Sequence, residues 1–244
     1  MRKIVSATVL TLALYAFPAI AEDAPAAGPA ARAADVTPVP GNSSEPDLKN
    51  PGKNSYVIKD APLPNDFVMG KKTAPIVIIE YASLSCPHCA HFSNAVLPDL
   101  QKQYIETGKV KYVLRQFPLN EPALKGAMLV ECVGEKDQSK YFLFSKVLFD
   151  AQNKWAFDGN YLSGLETIAN VGGMNKEQFQ QCVTSTDRET QVLKEKKLAD
   201  TELKIPHTPY IFIDGEVYNG PHTIEDVGKF IDERLTLKSA EKKQ

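Results

Sequence analysis

Apolar side chains recur along this chain with two different periods, and each change of period marks a boundary between elements. Ile76-Val77-Ile78-Ile79-Glu80-Tyr81 is an apolar run of strand length, nearly unbroken, which suits a strand covered on both faces of a sheet. Phe67-Val68-Met69, stopped by Gly70, reads as a shorter strand before it. Cys89, Phe92, Val96, Leu100 and Tyr104 then recur every three or four residues, the stripe of an amphipathic helix that Gly108 ends. Pro98 falls inside that stripe and is expected to kink the helix. Beyond it Val110, Tyr112 and Leu114 alternate with Lys111 and Arg115, so Val110 to Phe117 is a strand, and strand, helix and strand make one parallel unit.

From Asn120 to about Leu203 the pattern is helical throughout, with Gly134, Gly159 and Gly172-Gly173 as expected breaks. That block is too long for one crossover helix and predicts a helical subdomain inserted into an α/β sheet fold. Tyr210-Ile211-Phe212-Ile213 and Glu216-Val217-Tyr218 flank Asp214-Gly215, a hairpin with a type I′ signal. The last helix starts at Thr223, with Asp226 as a capping-box acid and Ile224, Val227, Phe230, Ile231 and Leu235 as its buried stripe. The folded domain is therefore expected over 65–238, with the helical insertion at about 120–203 and a charged tail at 239–244.

Composition narrows the function classes. With 43% hydrophobic and 24% charged residues in 244, the chain can bury one sizeable core. A net charge of −2, with no basic run interleaved with aromatics, argues against nucleic acid as a partner. Gly172-Gly173 has no glycine fingerprint around it, so nothing points to nucleotide binding. At the N-terminus Arg2-Lys3, the apolar stretch Ile4 to Phe17 and Ala19-Ile20-Ala21 form a secretory signal pattern too short to span a bilayer. Cleavage is expected after Ala21, leaving 223 residues (244 − 21) with a formal charge of −4 once Arg2 and Lys3 are lost. Residues 22–64 hold eight of the seventeen prolines and one aromatic, Tyr56, so they read as a disordered tether.

Export changes the reading of the cysteines, because an oxidising compartment lets pairs form and keep disulfides. Cys86-Pro87-His88-Cys89 stands between a strand and a helix, which puts Cys86 at the helix N-terminus, where the positive end of the helix favours thiolate. Three readings of the pair are open: redox centre, structural staple and metal site. Under the loop-entropy model a four-residue loop stabilises by only about 2 kcal/mol, against about 4 kcal/mol for the 51 residues from Cys132 to Cys182. The long loop is the better staple, so Cys132 and Cys182 are expected to form a structural disulfide. No second C-x-x-C or H-x-x-x-H accompanies Cys86, His88, Cys89 and His91, which weakens a metal or copper-carrying role. No cofactor is called for, and His91 and His222 read as surface residues. Glu80 ends an apolar strand, so burial is expected to raise its pKa. His88 can offer a ring N–H or a positive charge to a thiolate at Cys86, or stand exposed with no role. Thr208-Pro209 leads into a strand, a setting that suits a cis bond but equally a trans-proline that simply starts the strand.

The stretch Glu80 to Cys89, Thr208-Pro209 before a strand and the helical insertion between them resemble the DsbA family of thioredoxin-fold oxidases, over about Asp66 to Leu237. The resemblance implies a thioredoxin-like α/β fold with an inserted helical subdomain, and a bacterial enzyme that donates its own disulfide to exported proteins. Cys86 is then the sulfur attacked by the client, Cys89 its buried partner, and Glu80 a buried acid exchanging a proton with Cys89. Thr208 and Pro209, joined by the cis bond that the resemblance requires, lie beside the cysteines and offer backbone hydrogen bonds to an extended peptide; His207 flanks them. Implied partners are reduced unfolded exported proteins and a quinone-linked, DsbB-like membrane reoxidase, with the protein a periplasmic monomer. A same-fold isomerase or reductase is the alternative, but isomerases of this kind resemble dimers with a separate N-terminal domain, for which 22–64 is too short and proline-rich.

Overall fold

The computed structural model describes residues 61–241 and 243; the expected signal segment and all but the last four residues of the expected tether lie outside the described residues. Five strands form one sheet in the order β1-β3-β2-β4-β5, from β1 (Val68–Met69), β2 (Ile76–Ala82), β3 (Val110–Gln116), β4 (Tyr210–Ile213) and β5 (Glu216–Tyr218). β2 pairs parallel with β3 and antiparallel with β4, so it is the central strand. All seven of its residues are buried, the reason for an apolar run broken only by Glu80.

Alternation along β2 divides the core. Ile76, Ile78 and Ala82 face a large cluster that includes Phe92, Tyr112, Trp155 and the cysteines, while Val77, Ile79 and Tyr81 pack with Val113, Phe212 and Ala199 on the other side. Glu80 belongs by its alternation to the first of these faces.

The helix after β2 is uninterrupted along the chain but not uniform in winding. α1 (Pro87–His91) and α2 (Leu97–Leu100) are separated by a π-helical turn at Phe92–Val96 and followed by another at Gln101–Ile105. The expected disturbance at Pro98 takes this form: lacking an N–H and crowding the carbonyl four residues back, the proline is accommodated by a widened turn before it.

The insertion consists of α3 (Glu121–Gly134), α4 (Gln138–Asp150), a 3₁₀ turn (Gln152–Lys154), α5 (Tyr161–Val171), α6 (Lys176–Val183) and α7 (Thr186–Leu203). Two of its starts show the capping clearly: Asn120 accepts from the Ala123 N–H, and Asn175 and Gln178 form a reciprocal capping box. Cys132 on α3 and Cys182 on α6 form the expected disulfide, with Cα atoms 5.6 Å apart. In the β4–β5 hairpin Asp214 and Gly215 both have positive φ, 53° and 85°, as a type I′ turn requires. α8 (Ile224–Glu241) runs three residues past the boundary expected at 238. Its Thr223 hydroxyl accepts from the Asp226 N–H and donates to the Asp226 carboxylate.

Candidate active site

Cys86 is the N-cap of α1, extended in backbone (φ −84°, ψ 121°) and held by its own N–H to the Ser83 carbonyl. Pro87 follows at the first helical position, where a missing N–H costs nothing. Cys89 lies one turn inside the helix and is completely buried, whereas Cys86 keeps 7% of its surface. Both are free thiols, the Cys86 thiol donating to the Thr208 carbonyl at 3.3 Å.

The two sulfurs are driven apart electrostatically. The Cys89 thiol hydrogen bond lowers the Cys86 pKa most, burial opposes it, and the Thr208 side chain and the N–H groups of Cys89 and His88 lower it further, to about 5. The Thr208 hydroxyl is buried and has no other hydrogen-bond partner, so it is available to a thiolate. At Cys89 burial raises the thiol well above its ordinary value, and donation to Cys86 and the nearby Glu80 carboxyl raise it further. One sulfur is thus a stabilised thiolate at neutral pH and the other a thiol.

Glu80 is 2% exposed, so its burial is more complete than its place at the end of a run suggested. Desolvation raises its pKa to about 8 against the opposing effect of the Tyr112 hydroxyl, which donates to Glu80 Oε2 at 2.5 Å. Tyr112, read from the sequence only as an inward strand residue, is therefore the direct partner of the buried acid.

The Thr208–Pro209 peptide bond is cis, as the family resemblance implies. His88 is exposed, and its backbone N–H is among the groups that lower the Cys86 pKa. His91 and His207 are exposed as well, the His207 ring lying 3.2 Å by Nδ1 from the Pro209 carbonyl oxygen. His222, expected at the surface, is instead half-buried against the Phe92 and Tyr218 rings. Burial lowers its pKa, and His207, His88 and His91 add to that, which places all four histidines of the chain around this end of the sheet. Among the described residues no group of three or more His, Cys, Asp and Glu side chains stands in a metal-ligating arrangement.

Gln152 was not singled out by any motif. Its buried side-chain amide donates to the carbonyls of Leu84 at 2.8 Å and Cys86 at 2.9 Å, tying the insertion to the loop that carries the first cysteine.

Residues 63–233 match the family model described as thioredoxin. A Rickettsia prowazekii protein carrying a provisional assignment as protein-disulfide oxidoreductase is 31% identical over 191 residues, covering 78% of this chain and 67% of that protein. The crystal structure of alpha-DsbA1 from Wolbachia pipientis is similar with a TM-score of 0.69 and 34% identity, over 75% of this chain and 97% of that one. Oxidised BdbD from Bacillus subtilis, at 22% identity and a TM-score of 0.66 over 75% of this chain and 100% of that one, shares the fold.

Proposed function

The chain belongs to the DsbA-like thioredoxin-fold protein-disulfide oxidoreductases, and from that premise we propose that it works as a dithiol oxidase, donating a Cys86–Cys89 disulfide to reduced proteins newly exported to the periplasm. The observation that carries this reading is the asymmetry of the two sulfurs, Cys86 held down to about 5 and Cys89 pushed up.

The chemistry follows from that asymmetry. A client thiolate attacks Cys86 Sγ; a client–Cys86 bond forms, the Cys86–Cys89 bond breaks, and the electron pair leaves on Cys89. Buried Cys89 does not tolerate that charge and takes a proton, which Glu80 can give, being protonated below pH 8. The second client thiolate then attacks the client sulfur of the mixed disulfide. Cys86 leaves as thiolate, and the client departs oxidised by two electrons. Of the two protons lost by the client, one remains on Cys89 and one goes to solvent. Because Cys86 is a good leaving group and its thiolate stabilises the reduced protein, the disulfide is oxidising. Two pH units between 5 and neutrality contribute on the order of 60 mV.

During reoxidation the same acid works in reverse, with ionised Glu80 accepting the Cys89 proton as the new disulfide forms. The reoxidant in this reading is a quinone-linked, DsbB-like membrane protein. Clients are bound as extended segments beside Thr208 and Pro209, and the protein acts as a monomer. Periplasmic placement is supported by the signal pattern ending at Ala21. Mixing the oxidised protein with a reduced, unfolded client tests the reading. Stoichiometric appearance of client disulfide with loss of the Cys86–Cys89 bond is expected, and failure of the client to oxidise while the bond persists refutes it.

A further inference from the structure

The exchange centre sits on the strand-to-helix turn, but one of its supports comes from the helical insertion. Gln152 begins the 3₁₀ turn after α4 and is 6% exposed. A primary amide has two hydrogens, and each is used: one on the Leu84 carbonyl at 2.8 Å, the other on the Cys86 carbonyl at 2.9 Å. Leu84 is fully buried, out of reach of solvent. The Cys86 carbonyl also accepts the Ala90 N–H at 3.0 Å, the first bond of α1, so Gln152 occupies its second lone pair.

The turn that carries Gln152 is itself hydrogen-bonded and closely packed. Its carbonyl accepts from the N–H groups of Trp155 and Ala156, at 3.2 and 2.8 Å. The Trp155 indole is completely buried and donates to the Leu148 carbonyl at 2.9 Å. Gly164 of α5 lies so close beneath that an added Cβ would meet the Lys154 carbonyl oxygen and Trp155 Cβ at 2.7 Å. A donor fixed at this precision, bonded to carbonyls on both sides of Ser85, sets the orientation of the peptide planes from which the Cys86 side chain projects.

We propose that Gln152 is a positioning residue of the exchange centre, fixing the Cys86 sulfur against the N–H groups of His88 and Cys89 and the Thr208 side chain. The helical insertion is then part of the redox centre and not only a platform beside it. Gln152 touches neither client nor sulfur; it acts through the backbone of the residue that does. The inference rests on Cys86 being a stabilised thiolate, and the two can fail separately.

The test compares wild type with Gln152→Met, which keeps length and volume and removes both donors, and Gln152→Glu, which keeps shape and removes the paired donation. In the reduced proteins the Cys86 titration is followed by thiolate absorbance, and the thiol–disulfide equilibrium is measured against glutathione. In folded variants the titration midpoint is expected to rise by about one unit. The equilibrium then moves about tenfold toward the disulfide form, equivalent to about 30 mV. A wild type that titrates like an ordinary thiol overturns the oxidase reading. A depressed wild-type midpoint left unchanged in both folded variants overturns this inference alone. Independently of any variant, the side-chain NH₂ signals of Gln152 in the wild-type NMR spectrum should shift with the same midpoint as Cys86. Signals that do not move through that titration also overturn it.

Discussion

Two cysteine pairs lie in one hydrophobic cluster, and each has a glutamate at hand, buried Glu80 near Cys89 and half-buried Glu131 next to Cys132 in the chain. The pairs differ in what surrounds the sulfur. At Cys86 the Cys89 thiol, the Thr208 side chain and the N–H groups of Cys89 and His88 all lower the pKa of one sulfur, so the charge distribution around the pair is uneven. Cys132 and Cys182 join α3 to α6 across a sequence separation of 50 residues, which closes a long loop. Both glutamates are raised to about 8, mainly by burial. Glu131, however, lines a cavity of about 400 Å³ with Glu195, Glu135 and Arg188, away from any exchanging thiol. A raised carboxyl is thus common to both regions, and proximity to a thiol whose charge must change separates them.

The sharpest way to break this comparison is to exchange sulfur for oxygen at one pair and remove the other. Cys86→Ser should reduce client oxidation to background. Cys132→Ala with Cys182→Ala should leave most of that activity and lower stability by about 4 kcal/mol. That loss corresponds to a fall of roughly 8–16 °C in melting temperature for a domain of this size. Substantial oxidation by Cys86→Ser, or a comparable activity loss in the double variant, would remove the distinction.

The glutamates sharpen it further through pH. For a carboxyl whose pKa is 4.5 in the unfolded chain and about 8 in the folded one, the unfolded state holds fewer protons between these values. Such a group costs nothing below pH 4.5, and its cost grows as pH rises to 8. Glu80→Gln and Glu131→Gln should both therefore gain stability over wild type progressively across that window in chemical unfolding. Only Glu80→Gln should also slow client oxidation and lose the ionisation near pH 8 from its rate profile. The thiol has the opposite sign: Cys86 is depressed from 9.0 to about 5, so it stabilises the reduced protein fully above pH 9 and ceases to do so as pH falls through 5. Cys86→Ser should lack that rise.

A smaller effect isolates the Thr208 hydroxyl. Thr208→Val keeps the shape beside Cys86 and removes one donor, and a hydrogen bond to a charged group is worth about 1.5 kcal/mol or more. The thiolate titration of Cys86 should move up by about one unit. An unchanged midpoint would mean that the hydroxyl does not face the thiolate.

Patterns confined to neighbouring residues were legible in the chain. The run Ile76 to Tyr81, the helical block between Asn120 and Leu203 and the Asp214-Gly215 turn each state their geometry locally, whereas the cis bond at Thr208-Pro209 is implied by the family resemblance. The Cys132–Cys182 staple followed from loop length once the other pair was assigned. Contacts made at long range were not legible. Tyr112 reaches Glu80 from the neighbouring strand, 32 residues on, and alternation gives its face without its partner. Gln152 reaches Leu84 across 68 residues from a short 3₁₀ turn that has no periodicity. At His88 the residue type points to the ring, but it does not show the contribution of its backbone N–H, a consequence of helix geometry shared by any residue there.

The equilibrium of the Cys86–Cys89 pair with glutathione, measured beside the thiolate titration of the reduced protein, tests the oxidase reading most directly. A dithiol oxidase with this site should show a titration midpoint near 5 and a potential well above the about −270 mV of thioredoxin. A midpoint near the ordinary thiol value of about 8.5 with a potential at or below that of thioredoxin would contradict it.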